Sequence, residues 1–302
     1  MNPTPEPPGQ AAWTIARVLG WAAEDLARRG LRDSPRLDAE LLLGHALQVD
    51  RVRLIVDAQR PLEQDELARY RELILRRRRH EPIAYILGER EFYGLRFSVN
   101  RHVLIPRPDT ETLVTVALAR TSQRSLHGRA LDLCTGSGCV AIAFAKERPT
   151  WQVTGSDLSA EALGVARHNA LRLGTIWNLD FRRSDLLEEI DREAGFDLIM
   201  ANPPYVPDAE LPTLSPDIRD HEPASALCGG PDGLAVIRRL VKAAPRWLAA
   251  GGLLALEVGA GQAPRVAKGL ESYGFSEVQQ ERDYAGIARI VSGRRLGPER
   301  VM

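Results

Sequence analysis

Lysine is nearly missing from this chain of 302 residues: it stands only at Lys146, Lys242 and Lys268, and arginine supplies the rest of the positive charge. That skew reflects composition and indicates no function. The 40 basic and 40 acidic side chains cancel, leaving a formal net charge of zero. General nucleic-acid binders carry a basic excess, so the balance speaks against a stable nucleic-acid partner. Cys134, Cys139 and Cys228 form neither a disulfide framework nor a zinc pattern, and no metal is expected. Cys134 and Cys139 flank a glycine turn and read as small packing residues. A reducing compartment, the cytoplasm, follows. No apolar run reaches about 18 residues, so no membrane span or membrane partner is expected. Residues 1–10 are proline-rich, lack Lys and Arg and contain Glu6. They resemble neither a signal nor a transit peptide, and residues 1–12 read as a disordered tail.

What is present suits two domains, the larger of α/β type. Residues 13–82 read as a helical domain. In 14–29, Ile15, Val18, Leu19, Ala22 and Leu26 fall on one helical face. Ser34-Pro35 starts a second helix, with Ser as N-cap and Pro at the first helical position. A short segment at 52–56 and a helix over 62–79 follow. The run Arg76–Arg79 at its end reads as a solvated face complementing the helix dipole rather than a nucleic-acid patch. Residues 83–102 change character: Gly88, Phe92, Tyr93, Gly94, Phe97 and Val99 predict a linking hairpin.

Residues 103–302 alternate strand and helix. Strands are predicted at 130–133, 152–156, 179–183, 196–201 and 253–258, and helices at 140–147, 160–173, 236–248 and 263–273. Strands at 275–282 and 287–291 close the chain as an antiparallel edge hairpin. Such alternation implies a mostly parallel sheet covered by helices on both faces.

Two places in this pattern carry chemistry. The first is Asp132-Leu133-Cys134-Thr135-Gly136-Ser137-Gly138, a strand running into a glycine turn and then a helix. Open α/β sheets bind ligands at such carboxyl ends. Asp157 ends the next strand, where its two oxygens suit a ribose diol, and Asp185 ends the third, near where an adenine would lie. Spacing alone does not choose between a nicotinamide dinucleotide and S-adenosylmethionine. Three features favour the latter. Asp132 stands where it can approach a cationic sulfonium or ammonium. No Gly-Lys-Ser/Thr is present for a triphosphate. A second motif also follows the fourth strand and has no role in hydride transfer.

That second motif is Asn202-Pro203-Pro204-Tyr205. Both prolines lock φ, and Pro204 pushes Pro203 towards an extended conformation. The product is a rigid ledge with one amide, free carbonyls and one aromatic ring. It suits holding a planar NH2 group, with Asn202 and Pro203 accepting its hydrogens and Tyr205 over its plane. The tetrapeptide resembles that of methyltransferases acting on amide or exocyclic amino nitrogens.

Over nearly its whole length the chain resembles the protein-(glutamine-N5) methyltransferases of peptide chain release factors. The resemblance rests on Pro82–Gly88, Val103–Glu111 with its Ile-Pro-Arg-Pro core, the glycine turn, Asn202–Tyr205, Glu222-Pro223 and Gly229–Leu234. It departs at Cys134, where the family often has glycine, and at Leu186, where a bulkier aromatic is common.

The resemblance implies a Rossmann-like class I methyltransferase domain behind a small helical domain that docks the substrate. It implies S-adenosylmethionine as methyl donor, with S-adenosylhomocysteine as product. The partner it implies is a class 1 release factor bearing Gly-Gly-Gln, acted on by a monomer. The cofactor residues would be Asp132, Cys134, Thr135, Gly136, Ser137, Gly138, Asp157, Asp185, Leu186 and Asn202. Those meeting substrate would be Asn202, Pro203, Pro204 and Tyr205, joined by Arg107 and Glu111 unless these only lock the linker or form an interdomain ion pair. Glu257-Val258-Gly259, with Gln262, reads as shaping the sheet edge. The competing reading is an N6-adenine or N2-guanine nucleic-acid methyltransferase using the same ledge.

Overall fold

The computed structural model of the protein describes residues 12–191 and 195–296. The expected tail, up to residue 11, lies outside them. The chain divides into two units, Met1–Gly88 and Glu89–Met302.

Among its described residues the first unit holds five helices: α1 (Ile15–Arg28), α2 (Pro35–Leu47), α3 (Arg51–Val56), α4 (Gln64–Arg77) and α5 (Ile83–Leu87). The apolar stripe of α1 is buried with Leu42, Leu43 and Ile74 in one core. Thr14 caps α1 by accepting from the Arg17 amide (3.3 Å). Ser34 occupies the N-cap of α2, but its hydroxyl donates to Asp38 (3.2 Å) instead of capping the backbone. The arginine run is not one solvated face. Arg77 is buried, and its Nε donates to Asp38 at 2.8 Å. Arg76 pairs with Glu81 and Arg78 with Asp25. The predicted hairpin at 83 begins instead as helix α5, which Pro82 caps and Gly88 ends at φ +76.

The second unit opens with the hairpin β1 (Glu89–Phe92) and β2 (Leu95–Ser98), then α6 (Glu111–Arg120). Next come β3 (Arg129–Leu133), α7 (Cys139–Glu147), β4 (Gln152–Asp157), α8 (Ala160–Leu173), β5 (Leu179–Arg183) and β6 (Phe196–Ala201). The chain continues through α9 (Pro216–Arg219), α10 (Ala235–Ala243), β7 (Leu248–Glu257), α11 (Ala263–Ser272), β8 (Phe275–Arg282) and β9 (Ala288–Arg295). The seven strands β3–β9 form one sheet in the order β5-β4-β3-β6-β7-β9-β8, antiparallel only at β9 and β8. This is the class I methyltransferase fold. Side chains alternate between the faces, as the pleat demands: Leu198 and Met200 join one core, Ile199 and Ala201 the other.

The helix expected over 236–248 stops at Ala243, because Pro245 has no N–H to continue it. Ala244–Arg246 forms a tight turn, and β7 starts at Leu248, earlier than expected. Gly251, at φ +69, lies where the β6–β7 register shifts. β9 also runs on to Arg295, pairing with β7 and β8. Among the described residues no helix is long and apolar enough to cross a membrane.

Candidate active site

Strand register builds the site. Leu133 of β3 lies opposite Ser156 of β4 and Ala201 of β6, and Ala201 lies opposite Leu256 of β7. Each next residue therefore comes out in one row at the carboxyl edge: Asp157, Cys134, Asn202 and Glu257. Strand order reverses direction between β3 and β6, which is where open α/β sheets form their ligand crevice.

In the glycine turn Cys134, Gly136 and Gly138 all have positive φ, at 56°, 53° and 80°. For Cys134 the left-handed conformation costs roughly 1–2 kcal/mol that glycine would avoid. Asp132 organises the turn from beneath. Its Oδ2 accepts from the Thr135 hydroxyl (2.6 Å) and the Ala141 amide in the first turn of α7 (3.1 Å). Burial drives the Asp132 carboxyl up to about 7, against these two donors. Asp157 accepts from the Gly136 amide (2.9 Å) and the Ser159 amide (3.0 Å), tying β4 to the turn. Burial raises its carboxyl too. The Ser137 and Ser156 hydroxyls are buried without a partner.

The ledge is braced on several sides. Asn202 Nδ2 donates to Thr110 Oγ1 at 3.2 Å. Gln262 Nε2 donates to the Tyr205 carbonyl (2.9 Å), and its Oε1 accepts from the Gly259 amide (2.8 Å). Gly233 packs so close that any Cβ there would collide with the Tyr205 carbonyl and the Gln262 amide. The ring of Tyr205 packs on the core, and its hydroxyl donates to Glu257 Oε1 at 3.3 Å. Glu257 is 1% exposed, and its Oε2 has no hydrogen-bond partner. Burial raises its carboxyl to about 7, opposed by the Thr110 and Tyr205 hydroxyls and by Arg289. The expectation that Glu257 and Gln262 shape a sheet edge is thereby corrected. β7 is an inner strand, and both side chains brace the ledge.

The row opens into a cavity of about 320 Å³, within the usual range for small-molecule sites. Asp132, Cys134, Thr135, Gly136, Ser137, Asp157, Asp185, Leu186, Asn202, Pro204 and Arg107 line it. Gly138, Pro203, Tyr205 and Glu111 do not form its walls. Gly138 is the N-cap of α7, Pro203 is buried in the ledge, and Tyr205 points to Glu257. Glu111 accepts from the Tyr93 amide at the hairpin turn (2.9 Å). Arg107 pairs with buried Glu222 at 2.5 Å, and Glu222 also accepts from the Ile105 amide (3.3 Å). Both partners belong to the second unit, so this is not an interdomain pair. Asp185 pairs with Arg239 on α10 at 2.9 Å.

Residues 7–88 match the family model described as PrmC N-terminal domain, and residues 110–214 match methyltransferase small domain. The release factor glutamine methyltransferase of Geobacter sulfurreducens is 44% identical over 93% of this chain and 97% of its own. That of Vibrio cholerae is 43% identical over 93% and 96%. The chain belongs to the release factor glutamine methyltransferase family. Among solved structures, the hMettl16 catalytic domain aligns with a TM-score of 0.58 at 13% identity, over 74% of this chain and 85% of that one, which shows the shared fold alone.

For a release factor glutamine methyltransferase, the sequence left three residues without a role: Thr110, Glu222 and Arg239. Glu257 and Gln262 were assigned to the sheet edge. A lone acid closing the apolar run Leu253-Leu254-Ala255-Leu256 was the available signal. The others signal nothing locally, since each meets its partner across a long stretch of chain.

Proposed function

We propose that this protein transfers a methyl group from S-adenosylmethionine to the side-chain amide nitrogen of the glutamine in the Gly-Gly-Gln motif of peptide chain release factors. Family membership supports this. The observation that carries it is Asn202 at the cavity, its Nδ2 held by Thr110 and its Oδ1 left to accept.

The residues present fit that cofactor better than a dinucleotide. A pyrophosphate would use the free amides at the start of α7. Here Asp132 already takes the Ala141 amide, and Asp132 and Asp157 would repel phosphate. The same carboxylates suit a cationic ligand with a ribose: Asp157 for the diol, Asp132 for the cationic end, Asp185 and Leu186 for the adenine. The orphaned Ser137 hydroxyl, on the cavity wall, is a further polar group for a ligand to satisfy. When bound, S-adenosylmethionine supplies a methyl group activated by its sulfonium.

The protein's own task is to aim a poor nucleophile, since the amide lone pair is delocalised into its carbonyl. Asn202 Oδ1 and the Pro203 carbonyl would each accept one N–H. Partial negative charge then stands behind a nitrogen becoming positive, an oxyanion hole with its sign reversed. Positioning supplies the rest. Tyr205, anchored on Glu257, stiffens the ledge. Arg107, held by Glu222, remains a candidate contact for the substrate loop, and Glu111 braces the hairpin. Residues 13–82 would dock the body of the release factor, and the enzyme would act as a cytoplasmic monomer. Incubation with labelled S-adenosylmethionine and either a release factor or nucleic acid tests the reading. Label in the factor supports it, and label in nucleic acid alone would replace it with the adenine- or guanine-directed alternative.

A further inference from the structure

Glu257 is a buried carboxyl that methyl transfer as described above does not use. Its Oε2 has no hydrogen-bond partner, and the Thr110 hydroxyl is the neighbouring donor that favours its charged form. The same hydroxyl accepts from Asn202 Nδ2. A hydroxyl has one hydrogen to give. If it is given to Glu257, a lone pair faces Asn202, and only the NH2 end of that amide can meet it. The Oδ1 end must then face the cavity.

We infer that Thr110 and Glu257 are positioning residues that fix which end of the Asn202 amide faces the substrate. The inference rests on the proposed role of Asn202 as acceptor for the substrate NH2 group. Its consequence is a proton-controlled amide. A charged Glu257 only accepts, which keeps Thr110 oriented. A protonated Glu257 can donate to Thr110, which frees the hydroxyl hydrogen to turn towards Asn202. The amide can then flip and present Nδ2 to a substrate that needs an acceptor. The groups acting on Glu257 are the Thr110 and Tyr205 hydroxyls, Arg289 on β9, which favours the charge, and Asp109, which opposes it. Cys139 on α7 also feels the Glu257 charge.

The transition falls near pH 7, since burial sets Glu257 there. Asp132 is raised to about 7 as well, so the two must be separated. Asp132 lies under the glycine turn, so its titration moves cofactor affinity. Glu257 acts through Asn202, so its titration moves kcat at saturating cofactor.

The test uses the full chain, S-adenosylmethionine and a Gly-Gly-Gln release factor, with kcat followed from pH 5.5 to 8.5. Those limits bracket an ordinary physiological range of about two to three pH units. Wild-type kcat is expected to fall on the acid side of about pH 7, and Glu257→Gln to lose that acid limb. Thr110→Val should lower kcat on the order of 10- to 100-fold through misplacement of the amide. Its cofactor Kd should stay unchanged, which also reports an intact fold, and Thr110→Ser should restore most of the rate. Wild-type kcat in Thr110→Val, or an unchanged acid limb in Glu257→Gln, overturns the inference while leaving the proposed function standing. A wild-type protein that binds the cofactor but never methylates the factor overturns both.

Discussion

Each of the two units answers a buried acid with an arginine, Glu222 with Arg107 in the second, but among the described residues only the second also buries acids that no cation pairs. In the first unit Asp38 meets the Arg77 guanidinium at 2.8 Å, so charge is answered by charge. In the second, Asp132 and Glu257 are as deeply buried, yet only hydroxyls and amides donate to them. A buried pair can hold two helices in register with little net effect on stability. A buried acid without a cation raises the energy of the fold, and such groups gather at functional sites. The contrast sets the proposed chemistry in the second unit.

Breaking the scaffold's pair should have the largest effect. Arg77→Ala leaves Asp38 buried and unpaired, which should lower unfolding free energy by about 3–5 kcal/mol; denaturant titration measures it. Next comes Asn202→Ala, expected to slow methyl transfer on the order of 10²–10³-fold at nearly unchanged cofactor affinity. Full turnover in that variant would remove Asn202 from the chemistry. Asp157→Ala should weaken S-adenosylmethionine binding by about 1.5–3 kcal/mol, the scale of a hydrogen bond to a charged group. Calorimetry checks it, and equal affinities would place the ribose elsewhere.

The smallest effect sharpens the contrast most. The folded pKa of Asp132, about 7, lies above its ordinary 3.8. Its contribution to stability is therefore fully present below the ordinary value and is lost as pH rises through about 7. Asp132→Asn escapes that loss. Relative to the wild type it should gain stability as pH rises from acid to mildly alkaline values, while binding the cofactor less well. Thermal melts across pH read the first and calorimetry the second. A variant less stable than wild type at alkaline pH would mean that Asp132 is favourably charged in the fold.

Both chemical motifs were legible as sequence because each is a local run set at the end of an apolar strand. Their adjacency was legible only in outline. It needs the β3–β6 register, which places Cys134 beside Asn202. What the sequence hid lies in contacts between distant segments. Thr110 reaches Asn202 across 92 positions, and Tyr205 reaches Glu257 across 52. The start of β7 was masked by an apolar, helix-like run over 236–248 that only Pro245 interrupts. The segment 83–87 was read as hairpin because its helix is a single turn, too short to show a period.

The most direct test of the account is the mass of the tryptic peptide carrying Gly-Gly-Gln from a release factor incubated with S-adenosylmethionine. With the wild-type protein the peptide should be heavier by one methyl group in place of hydrogen, located on the glutamine side chain. With Asn202→Ala it should stay almost entirely unmodified over the same time. An unmodified peptide with the wild type, or a methyl group on any other residue, would contradict the claim that the ledge beside the glycine turn methylates a glutamine amide.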